Sequence, residues 1–216
     1  SYSQVFASKD ILNNRLKSLN LPNDYYDYII IDEVHHIAAS SYRKIINKFK
    51  PKILLGLTAT PERMDGEDIT EDFDGHIAAE IRLDTALNNR LLCPFHYYGI
   101  TDSIDLKEIH WDHGHYDIAE LSKIYRQNDS RTSLIFNALQ KYLPNLNTVK
   151  ALCFCVDIEH AKYIAAKFTL AGLKADLLTS ENEMERNRLC KALRDGKINY
   201  LFVVDMFNEG VDIPDV

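Results

Sequence analysis

Cysteine is scarce and unpatterned in this chain: four among 216 residues, at positions 93, 153, 155 and 190, with no CxxC pair. That excludes the disulfide framework of a small secreted domain, so the thiols are expected to be reduced, as in a cytoplasmic protein. Cys153 and Cys155 lie two apart in an apolar run and are expected on opposite faces of a strand. No apolar run approaches the ~20 residues that span a bilayer. The first residues, Ser1-Tyr2-Ser3-Gln4, lack the basic and apolar pattern of a secretory leader; no membrane partner is expected. Positive charge is also short, with 25 Lys and Arg against 32 Asp and Glu, a net charge of −7. Nucleic-acid binders are often basic, so this balance weighs mildly against one. A local groove, where amides and hydroxyls share phosphate contacts with a few cations, escapes that objection. Finally, the phosphate-binding signature G-x-x-x-x-G-K-[ST] does not occur, since Gly196-Lys197-Ile198 lacks the hydroxyl.

What is present is an ordinary globular composition, 46% hydrophobic and 26% charged. Four short, nearly all-apolar runs, Tyr28–Ile31, Ile53–Leu57, Ala151–Val156 and Tyr200–Val204, read as parallel strands covered on both faces. Helical faces separate them: Tyr42, Ile45, Ile46 and Phe49 recur at i, i+3, i+4 and i+7. Ile164, Ala165 and Phe168 form a second face, and Leu189, Ala192 and Leu193 a third, with Gly172 and Gly196 as stops. Strands alternating with helices predict an α/β fold with parallel sheets. From about Leu91 to Asn128 no period holds, which predicts a connector. The expected organisation is a first lobe over residues 1–92, a connector over 93–128 and a second lobe over 129–216.

Chemistry concentrates at two strand ends. Tyr28-Ile29-Ile30-Ile31 runs into Asp32-Glu33-Val34-His35-His36. Ligands of open parallel sheets bind at the carboxyl ends of strands. An acid there can hold Mg²⁺ against nucleotide phosphates, and a neighbouring Glu can take a proton from attacking water. One carboxylate suffices for an ion that keeps most of its waters, so Asp32 is the metal candidate and Asp32, Glu33 and His35 the catalytic set. The plainer reading is a strand ending in a polar turn. The second end is Leu54-Leu55-Gly56-Leu57 followed by Thr58-Ala59-Thr60-Pro61. Thr58 and Thr60 are placed to hydrogen-bond a neighbouring carboxylate or His35, and Thr60 also suits a helix cap before Pro61. His35 and His36 are expected to point apart, with His36 starting a helix. His110, His113 and His115 with Asp112 have metal-ligand chemistry but read more simply as a solvated connector.

Together, Asp32-Glu33-Val34-His35 and Thr58-Ala59-Thr60 resemble motifs II and III of superfamily 2 helicases. The resemblance continues upstream at Val5-Phe6-Ala7-Ser8-Lys9-Asp10, where Ser8 stands at a nucleic-acid-touching position. It continues downstream at Ala151-Leu152-Cys153-Phe154-Cys155-Val156-Asp157, at Leu178-Thr179-Ser180 with Arg186, and at Val204-Asp205-Met206-Phe207-Asn208-Glu209-Gly210-Val211-Asp212-Ile213-Pro214. Arg63-Met64-Asp65-Gly66 and Leu92-Cys93-Pro94-Phe95 resemble the type III restriction-subunit branch, which includes DNA-repair helicases. The DEAD and SAT signatures of the DEAD-box RNA helicases are not there.

The resemblance implies two tandem RecA-like lobes, the first truncated, and an ATP- and Mg²⁺-dependent DNA helicase or translocase in repair or restriction. RNA is the lesser candidate, and a nuclease domain or subunit is an implied companion. It assigns nucleotide contacts to Gly210 and Asp212, nucleic-acid contacts to Ser8, Thr179 and Glu209, and coupling of nucleotide state to movement to Thr58 and Thr60. It also places a P-loop ahead of residue 1 and arginine fingers after Val216, so the chain reads as an internal fragment expected to be inactive alone. Two rivals stand beside this: a module that binds nucleic acid or protein without hydrolysis, and the motor subunit of a restriction nuclease.

Overall fold

The computed structural model describes residues 21–61, 68–102, 104–107, 109–112, 115–126 and 128–204. The chain divides into two compact units, Ser1–Phe95 and His96–Val216.

In the first unit β1 (Tyr28–Ile31) pairs in parallel with β2 (Ile53–Gly56), Ile31 opposite Gly56. α1 (Ser40–Lys48) lies between them in sequence, the crossover that a parallel pair requires. Alternation along β1 sends Ile29 and Ile31 to one face, where Val34, Ile37, Ile69, Tyr42, Ile46 and Phe73 cover them. The other face departs from expectation. Tyr28 and Ile30 are 65% and 64% exposed, and neither joins the cluster that covers Ile29 and Ile31. A short turn (Ile69–Phe73) returns to the sheet and is tied to α1 by an Arg43–Asp72 ion pair. α2 (Leu83–Asn88) follows.

The second unit is a layered α/β body. A short hairpin, β3 (Trp111–Asp112) with β4 (His115–Tyr116), precedes α3 (Ile118–Tyr125) and α4 (Asp129–Tyr142). Next come β5 (Ala151–Phe154), α5 (Ile158–Leu170), β6 (Ala175–Leu178), α6 (Arg186–Arg194) and β7 (Tyr200–Val203). All three strands are parallel in the order β5-β7-β6. The central strand is buried throughout, and its alternation sorts two cores. Tyr200 and Phe202 face Ile164, Phe168 and Phe136 from α5 and α4. Leu201 and Val203 face Leu189 and Leu193 of α6. Fully burying each such side chain contributes about 1.5–3 kcal/mol. Gly172 and Gly196 end α5 and α6 at φ 80 and 69, the left-handed geometry that glycine adopts without a Cβ penalty.

Three sequence readings change. The stretch read as a connector contains the hairpin and α3, and α3 packs on α5. β6 went unseen because Asp176 interrupts its apolar run. Cys153 and Cys155 join one core cluster, because residues two apart on a strand share a face. Burial pushes both thiols up to about 12, leaving them protonated and unreactive at neutral pH.

Candidate nucleotide site at the strand ends of the first unit

β1 delivers its acids into a turn. Ile31 is buried, whereas Asp32 is exposed and its Oδ1 accepts the Glu33 N–H at 3.0 Å. Glu33 takes φ 49 and ψ 51, left-handed backbone that costs a non-glycine residue about 1 kcal/mol or more and that recurs at functional positions. The kink drops Val34 into the core at 2% exposure while Asp32 stays outside.

Backbone bonds lock this turn to the neighbouring strand. Leu57 N–H donates to Ile31 O at 2.9 Å, and Val34 N–H donates to Leu57 O at 2.9 Å. Gly56 is what lets the strands close so tightly. A Cβ there would meet Phe73 Cζ at 2.7 Å and Val34 Cγ1 at 2.8 Å.

Residues Val34–His36 form a 3-10 turn that carries His35 over the end of β2. Its Nδ1 lies 3.0 Å from Thr58 Oγ1 and 3.5 Å from Glu33 Oε2. Nδ1 thus faces a hydroxyl at hydrogen-bonding distance and a carboxylate oxygen just beyond, and the ring's tautomer sets whether it donates to Thr58 or accepts from it. Thr58 Oγ1 also accepts the Thr60 N–H at 3.1 Å. The site thus brings together Asp32, Glu33, His35 and Thr58, and reaches Thr60 through its backbone amide. A metal ion would find one open carboxylate oxygen at Asp32, since the Glu33 N–H donates only to Oδ1.

The histidine pair differs from expectation. The rings of His35 and His36 sit 4.1 Å apart at 48° rather than pointing apart, because both belong to a 3-10 turn and not to a strand. His36 closes that turn, and the helix begins only at Ser40.

In the second unit Thr179 is 0% exposed. Its hydroxyl accepts the Glu181 N–H at 3.2 Å, and Asn182 Oδ1 accepts the Thr179 N–H at 2.8 Å. This capping box turns the hydroxyl into its own loop. Thr179 itself is thus buried in its own loop, and its neighbour Ser180 is exposed. Ser8, Glu209, Gly210, Asp212 and the Arg63–Gly66 continuation lie outside the described residues, as do His113 and Gly114. Among the described residues no group of three or more His, Cys, Asp or Glu is set to hold a metal.

One polar network escaped sequence reasoning. Asp157 caps α5, accepting the His160 N–H at 2.7 Å, and also accepts from Ser122 and Arg126 of the α3 region. Arg131 lies 3.9 Å over the Tyr125 ring and donates to Asp102 at 3.0 Å. An aspartate before Ile158-Glu159-His160 carries the signal of a helix cap. Its partners in the supposed connector carry no such signal.

Comparison with known proteins follows the same division. Residues 1–63 match the family model described as type III restriction enzyme, res subunit. Residues 134–216 match the helicase conserved C-terminal domain. A 51.5 kDa protein of a Lactococcus phage is 34% identical over 94% of this chain and 42% of its own length. A protein of Schizosaccharomyces pombe, named as a mitochondrial ATP-dependent helicase, irc3, is 30% identical over 99% of this chain and 35% of its own. A type I restriction enzyme EcoAI endonuclease subunit of Escherichia coli is 30% identical over 64% and 19%. The chain thus spans less than half the length of these curated relatives. Among solved structures, the Pyrococcus furiosus Hef helicase domain aligns over 97% of this chain and 68% of its own at 15% identity, TM-score 0.43.

Proposed function

Since residues 1–63 match the type III restriction res-subunit family and residues 134–216 the helicase conserved C-terminal domain, we propose that this chain is part of an ATP-driven DNA translocase or helicase. The observation that carries the reading is the joined pair of strand ends, Glu33 and Thr58 meeting at the His35 ring over the carboxyl edge of a parallel sheet.

Asp32 would hold Mg²⁺, which when bound neutralises charge on the nucleotide phosphates. Glu33, whose partly exposed carboxylate lies 3.5 Å from His35 Nδ1, accepts the proton of the attacking water. His35 reports the state of that carboxylate to Thr58, and Thr58 passes it to the Thr60 amide. Gly210 and Asp212 belong to the nucleotide side of the same reading, and Ser8 and Glu209 to the strand. Thr179 shapes a turn whose exposed neighbour is Ser180. The track is a phosphate backbone, read without base sequence.

DNA is favoured over RNA by the restriction-type match over residues 1–63. The 30% identity to a restriction endonuclease subunit supports a second reading, a motor that works beside a nuclease. DNA repair is the other setting that fits. No described helix is long and apolar enough to cross a membrane.

The test is ATP hydrolysis by the full-length protein with and without duplex DNA, beside Glu33→Gln. Turnover that rises with DNA and drops by about 10²–10⁴ in the variant is expected of a lost general base. An intact protein that hydrolyses nothing with any nucleic acid would instead be a binding module.

A further inference from the structure

The second unit builds one core around a cluster of aromatic rings. Phe136, Phe168, Tyr200 and Phe202 meet tilted or edge-on around one core, with Phe168, Tyr200 and Phe202 no more than 3% exposed. A second set behaves differently. Tyr98 lies on Tyr142 with ring centroids 4.0 Å apart and planes 26° apart, and His96 follows Tyr98 at 6.2 Å and 30°. Tyr98 is 50% exposed and Tyr97 beside it 86%. The rings of His96, Tyr98 and Tyr142 are near-parallel; His96 and Tyr98 are exposed and Tyr142 is half-buried. Lys141 places its ammonium 4.9 Å from the Tyr142 centroid. Flat faces in succession with one cation alongside are what successive bases and a phosphate would meet.

Charge argues for this chemistry too. A chain with net charge −7 has little long-range attraction for a polyanion. Affinity must then come from short-range contacts, and base–aromatic stacking is such a contact. The edge and tilted pairs of the core, by contrast, leave no flat face free for a ligand.

We propose that His96, Tyr98 and Tyr142 form a base-stacking platform for single-stranded nucleic acid, with Lys141 meeting the adjoining phosphate. The proposal rests on the reading of the chain as part of a nucleic-acid motor and adds to it a contact to bases without sequence preference.

The experiment compares binding of the full chain to a fluorescent oligo-dT strand and to an abasic strand of equal length, which keeps the phosphates and lacks the bases. Wild type is expected to favour oligo-dT about tenfold, the order of one stacked base. Tyr98→Ala and Tyr98→Leu should both bind the two strands alike. The leucine keeps an apolar side chain against Tyr142 and removes only the flat ring. Tyr98→Phe should retain the preference. Lys141→Gln should weaken both strands equally and leave their ratio intact. A preference that survives in Tyr98→Leu overturns the platform. Equal binding of both strands by wild type also overturns it while leaving the motor reading standing. Binding of neither strand overturns the platform and speaks against nucleic-acid binding by this chain altogether.

Discussion

His35 and Thr58, 23 residues apart in the chain, meet with Nδ1 3.0 Å from Oγ1 across the ends of two parallel strands. This contact joins the segment that carries the acids to the segment that follows β2, and its second partner, Glu33, sits 3.5 Å from the same nitrogen. Removing the hydroxyl while keeping side-chain shape, as in Thr58→Val, takes away its hydrogen bonds to His35 and from the Thr60 N–H, each of about 0.5–1.5 kcal/mol. It leaves both carboxylates untouched. In the full-length protein the expected result is a split: ATP turnover without DNA within a few-fold of wild type, and stimulation by DNA largely lost. Steady-state hydrolysis over a DNA titration reads both. Equal loss with and without DNA would assign Thr58 to the chemistry itself and remove it from the coupling role.

Gly56 gives a second expectation. Its missing side chain is the space that Phe73 and Val34 fill at 2.7 and 2.8 Å from where a Cβ would stand. Gly56→Ala must push apart groups that hold the turn after β1, an overpacking cost of about 1–3 kcal/mol. Thermal denaturation should show the loss, and a compensating Val34→Ala should recover part of it. An alanine variant as stable as wild type would mean that the two strand ends are looser than this contact implies.

Thr179 tests whether a buried hydroxyl serves its own fold. Thr179→Ala deletes the acceptor for the Glu181 N–H, and loss of such a cap costs about 0.5–2 kcal/mol. Thr179→Ser should restore most of it. Urea denaturation followed alongside nucleic-acid binding separates two cases. Lowered stability with unchanged affinity fits the capping box. Unchanged stability with lowered affinity would put the hydroxyl on the nucleic-acid strand after all.

The strands that carry the candidate site were readable because each is a short run of nearly pure apolar residues ending abruptly in polar ones. Tyr28–Ile31 into Asp32 and Ile53–Gly56 into Thr58 announce both the strand and its functional end. The same rule hid β6, an edge strand where Asp176 is tolerated beside buried Leu178. It hid α3 for a related reason. The fully buried position on that helix is Ser122, which is held by Asp157, and its apolar face is only two turns long, Ile118, Leu121 and Tyr125, too short to stand out beside the polar residues around it. The left-handed turn at Glu33 could not be foreseen either. Glutamate has no preference for that backbone, and the bonds from Val34 and Leu57 impose it.

The Asp157 network makes stability of the second unit depend on pH in a fixed direction. Burial and the nearby Arg131 lower the pKa of His160 below its ordinary 6.5, and its Nδ1 accepts the Val156 N–H at 3.3 Å, which only the neutral ring can do. Burial alone would raise the Asp157 carboxyl. Donors from Arg126, Ser122 and the His160 amide outweigh it and hold the group below its ordinary 3.8. In both cases the unfolded chain binds more protons than the folded one, so stability rises with pH. The His160 contribution is complete above about pH 6.5 and is lost as pH falls toward its lower folded value. The Asp157 contribution is complete above about pH 3.8 and is lost only below that. The chain has a single tryptophan, Trp111 of this unit, so its fluorescence follows unfolding here. The urea midpoint should fall between pH 7.5 and 5.5, and His160→Gln should flatten that interval. Asp157→Asn should lower stability at pH 7.5 and leave the fall between 7.5 and 5.5 in place. If His160→Gln shows the same slope as wild type, the titrating group lies elsewhere and the cap of α5 is no pH-sensitive joint.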